Sequence, residues 1–404
     1  MSSIQSIDTP SVVSKILIVH NAYQQKGGED TVVEAEIALL KQYGHSVELF
    51  SKTNDVIPHM SRASVAVQTF WSKSSSQDFE KCLRQFQPDI VHVHNTFPLI
   101  SPAIYWVAYR MRIPVVQTLH NFRLHCPQAM YLRDGKVCED CIGRVPWRGA
   151  AHGCYRDSKV QSAVLAGMVT MHRMLGTWQN KVTRYIALNE FCRQKFIQGG
   201  LPADKIMVKA NFVDFPQLPA QDRQGLLFVG RLSAEKGIEV LANAMQRIAT
   251  QQIKQVKLRV AGTGPEAELM RKLSGVTLLG ALNGDTVREE MSQASALILP
   301  SIWYENFPRT LVEAFGCGLP VIASRIGALA ELIEDGVTGL LFDVNNADDL
   351  AAKIQWAENN PEKMLAMGVN ARNLYEKEFT AARNYTQLMH IYRDAYKAVE
   401  GRIQ

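Results

Sequence analysis

The stretch 296–318 reads ALILPSIWYENFPRTLVEAFGCG and joins an apolar run to a loop and a helical pattern. The run Ala296–Leu299 predicts a buried parallel strand, and Leu311–Phe315 predicts the opening turns of a helix. Glu305 lies in the loop, and Glu313 lies in the helix. Backbone N–H groups and two carboxylates would thus meet at one place, which suits a ligand with both phosphates and hydroxyls. The alternative is a pair of solvated surface glutamates.

The same alternation of strand and helix occurs twice along the 404 residues. It stops in a loop-rich stretch, 199–224, and then restarts, which predicts an α/β fold of two Rossmann-like, doubly wound domains facing an interdomain cleft. We expect the first domain at residues 1–200, the second at 201–380, and a C-terminal helix, 381–404, that packs back on the first. The predicted strands are 15–19, 46–50, 89–94, 114–119, 226–230, 256–261, 276–279, 296–299, 320–323 and 339–342.

The charge of the chain is uneven. Residues 1–200 hold 22 Lys/Arg against 15 Asp/Glu, whereas the whole chain holds 44 against 39. A basic first half predicts an anionic partner there, either a phosphate-bearing substrate or a membrane surface. Nucleic acid is not expected as a partner, because the basic residues are scattered and no nucleic-acid-binding module is present.

Two features bear on location. The first residues, MSSIQSIDTPSVVSK, lack the apolar core of a signal peptide, and no run reaches the length of a membrane-spanning helix, so we expect a cytoplasmic protein with reduced thiols. The stretch Val160–Trp178 has apolar residues at helical spacing beside many cations. It predicts a core-packing helix, and the alternative is a face that lies peripherally on the inner, anionic side of a membrane.

Two loops at the carboxyl ends of the first strands have phosphate-binding chemistry. After the first strand, Gly27 and Gly28 precede a helix, so a phosphate could approach backbone amides there. In the loop 230–237, GRLSAEKG, Arg231 offers a planar fork and Lys236 a point charge to a diphosphate. No Asp-x-Asp motif occurs in the chain, so these two side chains are the expected source of positive charge, with no metal required for catalysis.

Taken together, these motifs resemble a retaining GT-B glycosyltransferase of family 4, the class also called glycosyl transferases group 1. The resemblance spans nearly the whole chain and depends on the order of the motifs more than on any one of them. The matching segments are Gly27-Gly28, His120 within TLHNF, the loop 230–237, the pair Glu305/Glu313, and the runs 327–333 and 335–342.

The resemblance implies a role for each matching residue. Arg231 and Lys236 would hold the diphosphate, and Glu313 would accept hydrogen bonds from the ribose. Glu305 and the backbone of the two residues after it would contact the donor sugar. His120 would lie over the reacting sugar, and Gly28, next to Gly27, would face the diphosphate or the acceptor. The residues that follow Glu305 are Asn306, Phe307 and Pro308, where many relatives have Gly-Phe-Gly.

The implied reaction moves a sugar from a nucleoside diphosphate to a saccharide or lipid-linked acceptor, with retention at the anomeric carbon, in surface polysaccharide or glycolipid synthesis. Two alternatives stay open. One is a sugar-nucleotide epimerase or phosphorylase-like GT-B enzyme, and the other is a non-catalytic nucleotide-sugar-binding protein.

Cysteines and histidines supply the remaining candidates. Cys126, Cys138, Cys141 and Cys154 have the spacing C-x₁₁-C-x₂-C-x₁₂-C, which is compatible with a structural zinc site; the alternative is four reduced thiols. His92 and His94 lie in a predicted strand, and we expect them to be packed or hydrogen-bonded rather than catalytic.

Overall fold

The computed structural model describes residues 13–24, 27–215, 222–250 and 256–401. The polar N-terminal residues before Val13, Gln25 and Lys26 of the predicted glycine loop, and Pro216 and Pro219 of the predicted linker lie outside these ranges. Within the described residues the chain forms two six-stranded sheets and one two-stranded sheet. The predicted α/β, GT-B class of fold is confirmed.

The strands of the described residues are, in chain order, β1 (Lys15–Ala22), β2 (Ser46–Thr53), β3 (Ile90–Asn95), β4 (Val115–Thr118), β5 (Leu132–Arg133), β6 (Lys136–Val137), β7 (Arg184–Ala187), β8 (Ile206–Val208), β9 (Leu226–Val229), β10 (Leu258–Ala261), β11 (Val276–Gly280), β12 (Ala296–Leu299), β13 (Val321–Ser324) and β14 (Gly339–Phe342).

The α-helices are α1 (Gly28–Gln42), α2 (Arg62–Trp71), α3 (Lys73–Phe86), α4 (Ala103–Arg110), α5 (Trp147–Ala151), α6 (Lys159–Met174), α7 (Glu190–Gln198), α8 (Ile238–Thr250), α9 (Ala267–Arg271), α10 (Gly284–Gln293), α11 (Arg309–Gly316), α12 (Gly327–Leu332), α13 (Ala347–Asn359), α14 (Pro361–Glu378) and α15 (Ala381–Glu400).

Both large sheets are parallel throughout. The first has the order β2-β1-β3-β4-β7-β8, and the second has the order β11-β10-β9-β12-β13-β14. In each sheet the strand that comes first in the chain, β1 or β9, lies inside the sheet, and later strands are added on both sides of it. At the point where the direction of addition changes, ligand-binding loops lie at the carboxyl ends of the strands. The first sheet includes β8, so it continues past the expected division between residues 200 and 201.

Local chemistry explains the small differences in element bounds. The first helix includes Gly28, which was expected to precede it, because the Asp30 carboxylate accepts the Gly27 N–H at 2.7 Å and caps the first turn. β1 runs on to Ala22 through polar residues, because it stays paired with β2 as far as Thr53.

The stretch Val160–Trp178 divides between two environments. Leu165, Met168 and Trp178 are buried in the core of the first lobe, as predicted for a packing helix. Val160 and Met174, at the two ends of α6, are 75% and 83% exposed. In the described part of the chain, none of the helices combines the length and the apolarity needed to cross a bilayer.

A buried ion pair connects three distant parts of the first lobe. The ammonium of Lys209, directly after β8, lies 3.3 Å from Glu36 Oε2 on α1 and 3.2 Å from Asn384 Oδ1 on α15. The side chains of Lys209 and Glu36 are only 1% and 2% exposed. Next to Asn384, the apolar face of α15 packs on the first sheet through residues such as Leu388 and Tyr392. The C-terminal helix is thus part of the first lobe's core.

We expect Lys209→Met to destabilise the first lobe strongly. The substitution keeps most of the side-chain volume but leaves the Glu36 carboxylate buried without its ammonium partner, which typically costs about 3–5 kcal/mol. Urea denaturation followed by circular dichroism would measure the loss as a lower unfolding midpoint.

The matched control is Lys52→Met. Lys52 forms a 2.9 Å ion pair with Asp78, but the side chains of this pair are 35% and 47% exposed. Such pairs contribute about 0–1 kcal/mol, so the midpoint should barely move. Equal midpoints for the two variants would contradict a structural role for the buried pair.

Candidate functional site

A tight turn after β9 positions the predicted phosphate-binding loop of the second lobe. A short 3₁₀ turn over Ala234–Lys236 ends at Gly237, whose φ is +71°. A Cβ on Gly237 would lie 1.8 Å from the carbonyl oxygen of Pro300, so only glycine lets the loop approach β12 this closely. The loop therefore lies against the segment that carries Glu305.

The predicted residues Lys236 and Glu305 form an ion pair in this structure. Lys236 Nζ lies 2.9 Å from Glu305 Oε1, and Glu305 is only 8% exposed. The Ser301 hydroxyl donates a hydrogen bond to the same carboxylate oxygen. The Lys236 ammonium also lies 5.6 Å from the centre of the Trp303 ring. The cation and the acid that sequence reasoning assigned to diphosphate and sugar are thus in direct contact.

Arg231 is the more accessible of the two predicted cations. Its guanidinium lies 3.0 Å from Glu235 Oε1, and its side chain is 69% exposed. The Ser233 hydroxyl donates to the same Glu235 oxygen at 2.6 Å. Because an exposed ion pair is weak, an incoming anion can compete for Arg231 at little cost.

Glu313 lies on α11, in a mostly buried position. Arg309, one turn earlier on that helix, donates to Glu313 Oε1 at 2.8 Å. Burial raises the pKa of Glu313, although the charge of Arg309 opposes the shift. Phe307 packs toward Phe379, with ring centroids 6.2 Å apart, and Pro308 is the residue at which the chain enters α11.

Asn306 connects the two lobes. Its amide donates to the carbonyl of Leu119 at 3.4 Å, and its own carbonyl accepts from the side chains of Asn189 at 2.6 Å and Cys192 at 3.4 Å. Because Leu119 immediately precedes His120, Asn306 brings the predicted sugar-binding segment of the second lobe beside the predicted reactive histidine of the first.

His120 ends a chain of buried polar side chains. Its Nε2 lies 2.8 Å from Nδ1 of His94, and His94 Nε2 lies 3.3 Å from Glu36 Oε1. Burial, followed by the nearby His94, holds the pKa of His120 well below its ordinary value. Burial likewise lowers the pKa of His94 to about 4. Both rings are therefore neutral at pH 7.

The order of these contacts determines which nitrogen of each ring carries the proton. Glu36 Oε1 lies 2.8 Å from His92 Nδ1 and 3.3 Å from His94 Nε2, and His94 Nε2 has no other hydrogen-bond partner, so we infer that His94 carries its proton on Nε2, toward this carboxylate. With its proton directed to Glu36, His94 accepts at Nδ1 from the Nε2–H of His120. His120 is then left with Nδ1 as a hydrogen-bond acceptor.

Glu36, His92 and His94 lie within 4.8 Å of one another, which is close enough for metal ligands. The Lys209 ammonium already supplies positive charge to this cluster, at 3.3 Å from Glu36 Oε2. Burial alone would raise the pKa of Glu36, but His92 and Lys209 outweigh it and hold the pKa well below its ordinary value. His92 also contacts the hydroxyls of Tyr392 and Thr118, at 2.7 and 2.8 Å. Lys209 therefore balances the charge of the cluster, and both histidines are packed and hydrogen-bonded, His92 to Tyr392 and Thr118 and His94 to His120.

A second set of buried acids lies beside Gly27 and Gly28. His20 Nε2 lies 2.8 Å from Asp30 Oδ1, and the Tyr23 hydroxyl donates to Glu29 Oε2 at 3.0 Å. Burial raises the pKa of Glu29 to about 8, so this carboxyl is protonated in a large share of molecules at neutral pH.

The four predicted zinc-binding cysteines also come together. Cys126, Cys138, Cys141 and Cys154 all line one small cavity, and none of them forms a disulfide. Cys82, Cys192 and Cys317 lie elsewhere and are also free thiols.

Sequence reasoning missed the residues that support this site. Glu36 has a detectable signal, because an acid on the apolar face of α1, between Val33 and Leu40, must find a buried partner. Lys209 and the buried carboxyl of Glu29 have no such signal, since their environments depend on contacts between separate parts of the chain.

Comparison with known proteins places both lobes in described families. Residues 26–216 match the model for Glycosyltransferase Family 4, and residues 211–374 match the model for Glycosyl transferases group 1. An uncharacterized glycosyltransferase of Methanocaldococcus jannaschii is 32% identical over 42% of this chain and 47% of its own length. Phosphatidyl-myo-inositol mannosyltransferase of Mycolicibacterium smegmatis is 30% identical over 45% of this chain and 50% of its own. The chain spans about half the length of these curated relatives.

Similar solved structures share the fold of this chain. Sucrose-phosphate synthase of Thermosynechococcus elongatus has a TM-score of 0.69 at 20% identity, covering 95% of this chain and 100% of its own. The Anabaena protein HepE, solved with UDP, has a TM-score of 0.65 at 18% identity, covering 93% and 98%. With two adjoining family matches and this two-lobed fold, the chain belongs to the GT-B glycosyltransferases, with a family 4 region followed by a group 1 region.

Proposed function

We propose that this protein transfers a sugar from a nucleoside diphosphate donor to a saccharide or lipid-linked acceptor, with retention of anomeric configuration and without a catalytic metal. The observation that carries the proposal is the contact between Lys236 and Glu305 at the junction of the lobes, beside Asn306 and His120. HepE has been solved with UDP-glucose, which supports UDP as the first donor nucleotide to test.

The charges around the junction suggest how the donor binds. A diphosphate would draw the Lys236 ammonium away from Glu305, and the exposed Arg231 side chain would leave its partner Glu235 to meet the same anion. The freed Glu305 carboxylate, still held by Ser301, would then accept hydrogen bonds from sugar hydroxyls. Glu313 would accept those of the ribose.

His120 contributes in a different way. Because its ring is neutral at pH 7, it cannot add positive charge to the diphosphate. It would instead hydrogen-bond the reacting sugar, oriented by His94 and, through it, by Glu36. With the donor bound, Glu305 would be occupied by the Ser301 hydroxyl and the sugar hydroxyls, so we favour a same-face displacement, in which the departing phosphate takes the proton of the acceptor hydroxyl, over attack by this carboxylate.

The acceptor side supports a membrane location. Helices α2, α5 and α6 pack together on the first lobe and carry both exposed cations and exposed apolar side chains. We propose that this surface, here called the basic apolar face, lies on the anionic inner leaflet of a cytoplasmic membrane, where surface polysaccharide or glycolipid precursors are made. Its exposed residues include Arg62, Val67, Arg144, Trp147, Arg156, Lys159, Val160 and Met174.

Replacing either Lys236 or Arg231 should strongly lower the rate of donor turnover. We expect Lys236→Ala and Arg231→Ala each to lower the rate of UDP release from UDP-glucose about 100-fold, because each removes charge from a developing diphosphate. Both should also reduce the rise in melting temperature that UDP causes in the wild-type protein, and GDP and ADP serve as comparison nucleotides.

Two residues of the second lobe serve as matched controls. Lys363 lies 5.4 Å from the Trp356 ring, much as Lys236 lies over Trp303, and Arg271 is 63% exposed and paired with Glu268, much as Arg231 is with Glu235. Lys363→Ala and Arg271→Ala should keep the wild-type rate. Near-normal rates in Lys236→Ala and Arg231→Ala would refute the proposed roles.

Retention without a metal predicts the first product of donor hydrolysis. UDP-glucose carries an α-linked sugar, so the glucose released should be the α anomer at early times, before mutarotation, with EDTA present throughout. Proton NMR of the anomeric signals distinguishes the outcomes. Initial β-glucose, or a complete loss of hydrolysis in EDTA that a divalent cation restores, would contradict this part of the proposal.

The basic apolar face predicts binding to anionic vesicles. The protein should float with liposomes containing phosphatidylglycerol but not with pure phosphatidylcholine, and Val160→Ser/Met174→Ser should weaken flotation several-fold. Leu365→Ser/Val369→Ser is the control, since these residues of α14 are 62% and 56% exposed on the other lobe. Equal flotation of the two double variants would exclude the proposed surface.

A further inference from the structure

We propose that Cys126, Cys138, Cys141 and Cys154 bind one structural Zn²⁺ ion as four thiolate ligands. The four residues come from separate places: the loop after β4, the end of the β5–β6 hairpin, the loop beyond it, and the segment after α5. They nevertheless line a single cavity. Convergence of four thiols from across 29 residues is the arrangement that a tetrahedral zinc site requires.

Backbone hydrogen bonds hold these cysteines at the cavity. The N–H of Cys126 donates to the carbonyl of Phe122 at 2.9 Å, that of Cys138 to Tyr131 at 2.7 Å, and that of Cys154 to Gly149 at 2.9 Å. Packing beneath them is close, because a Cβ on Gly149 would lie 2.7 Å from Cγ of Pro127. The positions of the ligands therefore follow from the fold of the segment and not from one flexible loop.

The segment that carries the cysteines has little regular structure to stabilise it. Between Arg123 and Ser158 it contains two strands of two residues each and one helix of five. It also holds five of the nine non-glycine residues with positive φ in the described chain: Ala129, Tyr131, Asp134, Arg156 and Asp157. Such backbone conformations cost free energy and persist only when the surroundings hold them. A metal cross-link is a common way to hold a segment with so small a core.

The chemistry of the donors favours zinc over the alternatives. Four thiolates suit a tetrahedral soft-ligand site, and Cys138 and Cys141 have the C-x₂-C spacing of zinc-binding turns. A single disulfide would use two of the thiols and give no reason for the other two to line the same cavity. All four are unpaired here.

Binding would draw the sulfur atoms inward. Among described residues, Glu36, His92 and His94 are the only three ligand groups that all lie within 4.8 Å of one another, so no three of the four sulfurs are that close together. In a tetrahedral site with Zn–S bonds of about 2.3 Å the sulfurs are roughly 3.8 Å apart, so binding requires them to move closer together.

Two arginines lie beside the site. Arg133 is among the residues that line the cavity. It lies 3.0 Å from Asp140 and 3.7 Å from Asp134, and Arg148 lies 3.6 Å from Asp140, so both guanidiniums are paired with acids.

The zinc site would hold part of the junction between the lobes. Leu132, next to the cavity, packs against the apolar core of the second lobe. Tyr131 lies with its ring centroid 6.1 Å from that of Tyr304, the residue before Glu305. Glu139, between two of the cysteines, pairs with Lys195 of α7 at 2.6 Å. We therefore assign the metal a structural role in the wall of the cleft, with no part in the chemistry.

Metal analysis of the purified full-length protein tests the proposal independently of enzyme activity. Protein prepared under reducing conditions with zinc in the medium should contain about one zinc per chain. Titration with an organomercurial should release that zinc into a chromogenic chelator as the four thiols react. Cobalt replacement should give the intense visible bands of a tetrahedral thiolate site.

Single substitutions locate the site. Cys138→Ser and Cys154→Ser should each lower the bound zinc at least about five-fold, and Cys82→Ser, an isolated and partly buried thiol, should keep it. Wild-type protein with less than about a tenth of an equivalent of zinc would overturn the proposal, whatever the variants do. Equal loss in Cys82→Ser, or a disulfide between any two of the four cysteines in the reduced preparation, would also overturn it.

Discussion

The first lobe depends on one buried carboxylate. Glu36 lies on the inner face of α1, where an unpaired negative charge would be too costly to keep. It is neutralised by Lys209 and contacted by two strand histidines, and these partners come from the far edge of the first sheet and from its centre. Since Lys209 also bonds Asn384 of α15, one charge fixes the first helix, the end of the first sheet and the C-terminal helix relative to each other.

The same carboxylate reaches the candidate site through His94. A neutral imidazole can donate at only one nitrogen, so a proton directed to Glu36 leaves His94 as the acceptor for His120. The orientation of His120 is thus determined by Glu36, which is buried in the core and is linked to His120 through His94. The stability of the first lobe and the geometry of the candidate site are connected here, because any change that removes Lys209 or Glu36 would disturb both.

Much of the fold follows from the sequence, because parallel strands buried on both faces read as short apolar runs. The predicted strand 339–342 has the same bounds as β14. The alternation of strand and helix restarts at Leu226, where the first strand of the second sheet begins. The candidate residues Lys236, Glu305, Asn306 and His120 could also be identified, since they follow strand ends in two lobes with the same alternation of strand and helix. The contacts between these residues could not be predicted. Whether Lys236 contacts Glu305, 69 positions away, depends on how closely the loop after β9 approaches β12, and that depends on Gly237.

A donor would rearrange two ion pairs of the second lobe. Lys236 and Arg231 are each paired with a mostly buried acid, Glu305 and Glu235, and an incoming diphosphate would have to replace these partners. Arg231, whose side chain is 69% exposed, would change partners readily, whereas freeing Lys236 would leave the nearly buried Glu305 carboxylate with the hydrogen bond from Ser301. That carboxylate then needs new hydrogen-bond donors, and sugar hydroxyls are the groups a bound donor would bring. Binding of the diphosphate and binding of the sugar would therefore be coupled, because the phosphate would free the hydrogen-bonding positions on Glu305 that the sugar hydroxyls would take.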